Sequence, residues 1–209
     1  LDADGGHTAL QVSDSGQNAI IVYSGTNHML TEAFVDEVMD AVEPGDFVLM
    51  QNEINLVPYI MQKAKEAKAQ VVLNPSPITK TLMTYPLELV DLFIVNEIEG
   101  EALTGETEPE AILAAFREKY PGARVVLTLG SEGSCYQDDT QYCRQQIYEN
   151  TVVDTTGAGD TFCGYLLTCL TRGNSVKEAL NTASAASSIA VSRQGAAPSI
   201  PLMREVEEF

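Results

Sequence analysis

Residues 153–162 read Val153-Asp154-Thr155-Thr156-Gly157-Ala158-Gly159-Asp160-Thr161-Phe162. The two glycines indicate a tight turn, because a residue without Cβ permits sharp turning and close backbone approach to a ligand. We expect this turn to lead into a helix from Ala158 to about Arg172. The backbone amides of Gly157, Ala158 and Gly159 are then expected to be unpaired donors at a helix N-terminus, which makes the turn a candidate anion site.

Asp160 places a carboxylate beside this candidate anion site. Amides that bind a charged oxygen and a carboxylate that accepts a hydroxyl proton are the groups that phosphoryl transfer requires. A simpler role for Asp160 is to cap the helix, where the helix dipole favours the ionised carboxylate. The two roles are compatible, and we predict Asp160 to be a general base.

The stretch differs from two commoner nucleotide-binding motifs. No lysine follows the glycines, as a Walker A loop requires, and Phe162 stands where the dinucleotide fingerprint needs a third small residue. The string closely resembles the second signature of the ribokinase-like, or PfkB, carbohydrate kinase family. Four other segments resemble elements of the same family and occur in the right order: 51–53, 96–99, 128–133 and 195–199.

Composition and charge limit the other possibilities. The net charge of −18 argues against a nucleic-acid-binding protein, which needs a basic surface. No apolar run approaches the length of a membrane span and no secretory signal pattern occurs, so we expect a cytoplasmic protein without a membrane partner. A chain of 209 residues is long enough for one domain with a sizeable core, and we predict a single kinase domain over residues 1–209.

The four cysteines show no C-x-x-C spacing and only two histidines are present, so a zinc site is not expected. Cys135 and Cys143 could face each other across a hairpin that turns near Asp138-Asp139. We expect buried or half-buried free thiols, with a disulfide between these two cysteines as the minor alternative.

Strand and helix patterns alternate along most of the chain. Short apolar runs predict strands at 47–50, 71–73, 92–95 and 125–129, and helical patterns lie at 56–69 and 109–119. This alternation indicates an α/β fold with a mostly parallel sheet and helices on both faces. Glu53, Asn96 and Thr128 follow the carboxyl ends of strands, which is the edge where open α/β sheets bind ligands.

Local signals predict the remaining elements. A hairpin is expected from strands at 8–13 and 19–23, with a turn at 14–18, and a second hairpin from strands at 134–137 and 141–144. Thr31 and Asn55 are predicted helix caps. We expect Gly173-Asn174 to separate the two last helices as stop and cap, with the final helix reaching about Ser192.

The family resemblance implies a three-layer α/β/α fold with a remnant of a β lid at residues 8–23. Members of the family carry an N-x-D element and a G-G-x-x-x-N sugar-binding element in an N-terminal portion. Neither element occurs here and the chain begins at Leu1, so we expect a kinase that lacks its N-terminal part. Relatives pair through lid strands, which makes a homodimer through the hairpin a further expectation.

The resemblance also assigns ligands to the site. ATP is the expected phosphoryl donor and Mg²⁺ its companion ion, with Asn96 and Glu99 from the N-x-x-E element near the ion and the phosphates. Spacing alone equally allows a helix start with acidic residues at this position. The remaining residues expected at the nucleotide are Thr128, Gly130, Ser131, Gly133, Gly159 and Ser184.

Asp154 corresponds to the aspartate that binds a monovalent cation in the ribokinase branch of the family. The resemblance therefore implies K⁺ as an activator. The implied ligands are Asp154, Thr156, Ala190, Arg193, Gly195 and Ser199. An alternative from the residues alone is that Asp154 only caps the turn at Thr155-Thr156, since such Asx turns are common.

Glu53 corresponds to a glutamate that contacts sugar hydroxyls in the ribokinase branch, although a solvated loop carboxylate is a serious alternative. With residues 195–199, it favours D-ribose as the substrate and ribose 5-phosphate as the product. Fructose, deoxyribose or a nucleoside are alternative acceptors. A catalytically inactive nucleotide-binding regulator or fragment is an alternative from a different class.

Overall fold

The computed structural model describes residues 3–12 and 18–209, and it divides into two compact units. The first unit extends to Asp91, and the second extends from Leu92 to Phe209. No helix in the described part of the chain is both long and apolar enough to cross a membrane.

The first unit begins with an antiparallel hairpin. Strand β1 spans His7–Val12 and β2 spans Asn18–Tyr23, with His7 opposite Tyr23. The predicted hairpin strands are thus confirmed, although Asn18, expected in the turn at 14–18, begins β2, and the rest of that turn lies outside the described residues.

The rest of the first unit alternates helix and strand. Helix α1 spans Glu32–Met39, β3 spans Phe47–Gln51, α2 spans Val57–Glu66 and β4 spans Gln70–Asn74. Strands β3 and β4 pair in parallel over their whole lengths. Their pairing confirms the parallel arrangement that the alternating pattern predicts.

The helix caps of the first unit agree only in part with expectation. The Thr31 hydroxyl accepts a hydrogen bond of 3.2 Å from the Phe34 amide, which confirms this residue as the cap of α1. The prediction for Asn55 is wrong, because Leu56 is the N-cap of α2, at a φ of 62°. The Asn55 side chain instead accepts from the Leu30 amide at 3.1 Å and donates to the Leu30 carbonyl at 2.8 Å.

The second unit contains four strands and five α-helices within its described residues. The strands are β5 (Leu92–Asn96), β6 (Arg124–Thr128), β7 (Ser134–Gln137) and β8 (Tyr142–Gln145). The helices are α3 (Glu97–Thr104), α4 (Pro109–Lys119), α5 (Ala158–Thr171), α6 (Val176–Val191) and α7 (Met203–Glu207).

Strands β5 and β6 of this unit are parallel, and β7 and β8 follow as an antiparallel extension. Asn96 pairs with Thr128, so the carboxyl ends of β5 and β6 meet at one edge. Buried rings of Phe93, Phe116 and Tyr120 pack with centroids 5.0 to 5.9 Å apart and join β5 to α4. The packing of these rings thus fixes the sheet edge at which Asn96 and Thr128 lie.

Two further expectations for the second unit have clear outcomes. Ser175, and not Asn174, caps α6, because its hydroxyl accepts from the Glu178 amide while the Glu178 carboxylate accepts from the Ser175 amide. All four cysteines are free, as expected. Cys135 pairs with Arg144 and Cys143 pairs with Tyr136, so the two thiols are out of register for a disulfide across the hairpin.

Candidate functional site

The glycine turn at residues 155–157 ends where α5 begins. Gly157 is the N-cap of α5 and has a φ of 74°, a conformation that residues with a Cβ rarely adopt. A Cβ at Gly157 would also lie 3.3 Å from the Cα of Ala196. Position 157 therefore requires glycine for both its conformation and the close approach of a second loop.

The expectation of three unpaired amides in this turn is wrong at one position. The Ala158 amide donates to the Thr155 carbonyl at 3.2 Å, because the backbone closes a tight turn just before the helix. Among the described residues, the amides of Gly157 and Gly159 have no backbone acceptor. Two donors at the N-terminus of α5 therefore form the candidate anion site.

Asp160 lies in the first turn of α5, and its side chain is exposed. It borders a cavity of about 320 Å³ that Thr161, Gly164 and Tyr165 also line. Burial of the Cys163 thiol, and second the nearby Asp160 carboxylate, raise the pKa of this thiol to about 12. Cys163 is therefore a protonated core residue, whereas Asp160 is an exposed carboxylate of the same helix.

A larger cavity of about 440 Å³ lies within the second unit. It brings together residues from the loop after β6, the start of α5 and the inner face of α6. Six residues predicted to bind the nucleotide line it: Thr128, Gly130, Ser131, Gly133, Gly159 and Ser184. The sequence pattern thus identified residues from three separate segments that share one cavity.

The loop after β6 owes its shape to two glycines. Gly130 and Gly133 have φ values of 50° and 91°, and the Leu129 amide donates to the Gly133 carbonyl at 2.8 Å. A Cβ at Gly133 would overlap the carbonyl of Gln145. The loop is therefore pressed against the end of β8 and presents its backbone to the cavity.

Serine hydroxyls of α6 hold the opposite wall of the cavity in place. Ser184 donates to the Gln146 carbonyl at 3.0 Å, and Ser188 donates to the Tyr148 carbonyl. Ser187 donates to the carbonyl of Ala158 at 3.1 Å, which ties α6 to the first residue of α5. The Ser184 hydroxyl thus has a structural partner, and its predicted place at the nucleotide stays a prediction.

Asn96 and Glu99 form a capping box at the start of α3. The Asn96 side chain accepts from the Glu99 amide at 2.9 Å, and the Glu99 carboxylate accepts from the Asn96 amide at 3.0 Å. Neither residue lines the larger cavity. This contact accounts for the N-x-x-E spacing on structural grounds, and a role near Mg²⁺ stays a prediction.

Asp154 joins the glycine turn to the C-terminal loop. One carboxylate oxygen accepts from the Thr156 amide and the other from the Gly195 amide, both at 2.9 Å. These hydrogen bonds, the Thr156 contact first, lower the pKa of Asp154. The Val153 and Asp154 amides both donate to the Val191 carbonyl, at 2.7 and 3.1 Å. Asp154 therefore does more than close an Asx turn.

The other predicted cation ligands lie in the segment after α6. The Ala190 carbonyl accepts from the Arg193 amide at 3.0 Å, and the Arg193 guanidinium pairs with Glu205 at 2.6 Å. Ser199 is fully buried and donates to the Ala196 carbonyl at 2.6 Å. Within the predicted set, hydrogen bonds thus join Asp154 to Thr156 and Gly195, and Arg193 to Ala190.

The described part of the chain contains no cluster of three or more His, Cys, Asp or Glu side chains that could hold a metal ion. The predicted ligands of the monovalent cation are one carboxylate and several neutral oxygen donors. Such a set differs from a cluster of His, Cys, Asp and Glu side chains. Glu53 belongs to the first unit, where it is exposed in the loop after β3. Its predicted contact with a sugar stays a prediction.

Sequence reasoning did not identify several residues that line the larger cavity, among them Ser134, Asn150 and Ser187. The Asn150 side chain donates to the Ser188 carbonyl at 3.1 Å and fixes the segment that enters the glycine turn. No motif marks these residues, because their positions depend on how α6 packs against distant backbone.

Comparison with known proteins gives consistent results. Residues 3–203 match the family described as pfkB family carbohydrate kinase. A ribokinase from Staphylococcus aureus is 34% identical over 215 residues, which cover 99% of this chain and 70% of the relative. A ribokinase from Haemophilus influenzae is 36% identical over 211 residues, which cover 98% and 68%.

Solved structures show the same relationship. The Arabidopsis thaliana ribokinase complexed with ribose and ATP has a TM-score of 0.84 and 30% identity, covering 99% of this chain and 69% of that one. The Thermotoga maritima ribokinase has a TM-score of 0.83 and 30% identity, covering 100% and 70%. The fold class is thus the three-layer α/β/α type with a mostly parallel sheet, as the sequence predicts.

Proposed function

This chain belongs to the pfkB family of carbohydrate kinases, and from that premise we propose that it transfers the γ-phosphoryl group of ATP to the primary hydroxyl of D-ribose. The products are ribose 5-phosphate and ADP. The observation that carries the proposal is the cavity of about 440 Å³, which six predicted nucleotide residues line and which borders the glycine turn. The relatives named ribokinase, and the solved complex with ribose and ATP, support the choice of both substrates.

The N-terminus of α5 supplies the groups for the transfer. The amides of Gly157 and Gly159 bind the negative charge of the transferring phosphoryl group, and the positive end of the helix dipole strengthens this binding. Ala158 contributes to the turn, since its own amide is bonded to Thr155.

Asp160 is the proposed general base. It accepts the proton of the sugar hydroxyl while the hydroxyl oxygen attacks the γ-phosphorus, and the bond from phosphorus to the leaving oxygen of ADP breaks. Its place in the first turn of α5 puts this carboxylate next to the amide donors in sequence. Glu53 is the proposed sugar contact that orients the acceptor.

Mg²⁺ would neutralise phosphate charge when it is bound with ATP. The donor set at the start of α3 fits this ion, because Asn96 is exposed and Glu99 supplies a carboxylate in the same turn. Both side chains also serve the capping box, so contact through water is the arrangement that these residues favour.

K⁺ is proposed as an activator that holds the C-terminal loop against the glycine turn. Carboxylate and carbonyl oxygens suit a hard cation, and Asp154 already connects Thr156 with Gly195. The full set of proposed ligands is Asp154, Thr156, Ala190, Arg193, Gly195 and Ser199.

A panel of acceptors tests the proposal. The protein is assayed with Mg²⁺ and ATP for ADP release in the presence of D-ribose, fructose, deoxyribose or a nucleoside, and the position of the phosphate is found by phosphorus NMR. We expect the highest kcat/KM with D-ribose and phosphate on O5. A higher kcat/KM with another acceptor would reassign the substrate, and ATP binding without transfer to any acceptor would favour a nucleotide-binding regulator.

A further inference from the structure

Ser134 is the one buried side chain in the described residues whose polar atom has no hydrogen-bond partner. It is 1% exposed, begins β7 and lines the cavity of about 440 Å³. No motif and no expected site residue includes it. Its hydroxyl therefore needs a separate explanation.

The position of Ser134 is fixed by backbone on both sides. It pairs with Thr128 of β6 and with Gln145 of β8, so its backbone position is fixed between two strands. The preceding Gly133 packs against the carbonyl of Gln145. The backbone of Ser134 is thus held beside the cavity, while its unpaired hydroxyl remains able to rotate about χ1.

The other buried serines of this cavity behave differently. Ser184 and Ser188 are also buried, yet each donates its hydroxyl to a backbone carbonyl. Thr128 likewise donates to the Val95 carbonyl at 3.3 Å. The unpaired state is therefore specific to Ser134 and is not a general property of the cavity wall.

A buried hydroxyl without a partner destabilises the ligand-free protein, because it has lost its hydrogen bonds to water and gained none. A ligand that offers a partner removes this penalty. We infer that the Ser134 hydroxyl, which is inaccessible in the ligand-free protein, rotates about χ1 and forms a hydrogen bond with the nucleotide bound in this cavity. The inference rests on the proposed function, which places a nucleoside triphosphate there.

The nucleotide fits the surroundings of Ser134. The loop at 130–133 presents backbone to the same cavity, and Gly159 of the anion site also borders it. Nucleotides carry many hydrogen-bonding atoms, and a hydroxyl can act as donor or acceptor. Ser134 thus adds to the nucleotide site a side-chain contact that the family motifs do not include.

The test compares Ser134→Ala with the matched variant Ser188→Ala. Both remove one buried hydroxyl from the same cavity, but only Ser188 has a partner in the free protein. Affinity for Mg²⁺-ATP is measured by titration calorimetry, and Tm is measured without ligand. For Ser134→Ala we expect affinity to fall about two- to tenfold, the effect of one hydrogen bond, with a Tm no lower than wild type. For Ser188→Ala we expect a lower Tm.

A second variant, Ser134→Cys, keeps the connectivity of the side chain with a larger terminal atom and replaces the hydroxyl with a weak thiol donor. We expect its affinity for Mg²⁺-ATP to lie between those of wild type and Ser134→Ala. Unchanged affinity in both Ser134 variants would overturn the inference, and so would a Tm loss in Ser134→Ala equal to that of Ser188→Ala.

The outcomes separate this inference from the proposed function. If the wild-type protein binds Mg²⁺-ATP and phosphorylates a sugar while Ser134→Ala is unchanged, only the role of Ser134 fails. If the wild-type protein shows no binding of Mg²⁺-ATP, the proposed function fails and the inference fails with it.

Discussion

At the scale of single residues, Asp160 permits the most direct test of the chemistry. Asp160→Asn removes the proton acceptor and keeps the shape of the side chain. We expect kcat to fall by about 10²- to 10⁴-fold, the usual contribution of a general base, while the affinity for Mg²⁺-ATP stays close to wild type. Initial rates of ADP formation and a nucleotide titration measure the two quantities separately.

Asp139→Asn is the matched control for the loss of one carboxylate. Asp139 is exposed in the turn between β7 and β8, remote in sequence from the glycine turn. We expect it to leave both quantities unchanged. An equal loss of turnover and nucleotide affinity in Asp160→Asn would rule out the assignment of a base.

Gly159 is a second residue whose role can be isolated. A Cβ at this position would meet no atom within 4 Å, and its φ does not require glycine. Gly159→Val should therefore fold normally, but its side chain should occupy space beside the proposed anion site. We expect a loss of at least about tenfold in affinity for Mg²⁺-ATP, measured by calorimetry, because one lost amide contact to a charged oxygen has this size.

Gly164→Val serves as the matched control, because Gly164 lies in the same helix and a Cβ there also meets no atom within 4 Å. We expect both variants to have a similar Tm. If Gly159→Val binds Mg²⁺-ATP as tightly as Gly164→Val does, the phosphate does not approach the backbone at Gly159.

At the scale of elements, the contact between the glycine turn and the C-terminal loop should depend on pH. Hydrogen bonds from Thr156 and Gly195 lower the pKa of Asp154 below its ordinary value of 3.8. The stability that this carboxylate contributes is therefore fully present above about pH 4 and is lost as the pH falls through the lower folded value. We expect the difference in unfolding free energy between wild type and Asp154→Asn to shrink below that pH.

Urea unfolding of both proteins over a series of pH values measures this difference. Asp139→Asn gives the reference for an exposed carboxylate. A difference between wild type and Asp154→Asn that stays constant down to the most acidic condition would show that the two backbone hydrogen bonds do not favour the ionised form.

We also expect the contact between the glycine turn and the C-terminal loop to make turnover depend on potassium. We expect turnover to be higher in potassium than in caesium or a bulky organic cation at equal ionic strength, and the response to disappear in Asp154→Asn. Rates that are identical in all three salts would remove the cation site from the proposal. Keeping the ionic strength constant matters because the protein carries a net charge of −18.

The sequence predicted elements well where local signals determine them. Helix α4 spans Pro109–Lys119 as expected, because proline is favoured in the first turn of a helix. Asn55 was assigned wrongly as a cap because its side chain bonds to the backbone of Leu30, 25 positions away. A local pattern contains no information about such a distant partner.

Prediction of the site from the sequence was also limited to what local patterns contain. The glycine motifs identified residues from separate segments that line one cavity, since motifs record where backbone must approach a ligand. They could not indicate that the Ala158 amide closes onto Thr155, or that the Ser134 hydroxyl has no partner. Both facts depend on the packed geometry of the turn and of β7.

At the scale of the whole molecule, the net charge of −18 should make stability depend on salt. The negatively charged carboxylates repel one another in the folded chain, and dissolved ions screen this repulsion. We expect the free energy of unfolding to rise with sodium chloride concentration, as measured by urea unfolding at low and high salt. A decrease would indicate that attractive ion pairs, such as Arg193 with Glu205, outweigh the repulsion.

Helix α6 contacts two sites at once, and this has a thermodynamic consequence. Its Ser187 hydroxyl donates to the Ala158 carbonyl at the start of α5, beside the larger cavity, and the carbonyl of its last residue, Val191, accepts from the amides of Val153 and Asp154. If both ligands bind as proposed, a shift of this one helix changes both sites. Whatever factor potassium applies to the dissociation constant of ATP, ATP must then apply to the dissociation constant of potassium.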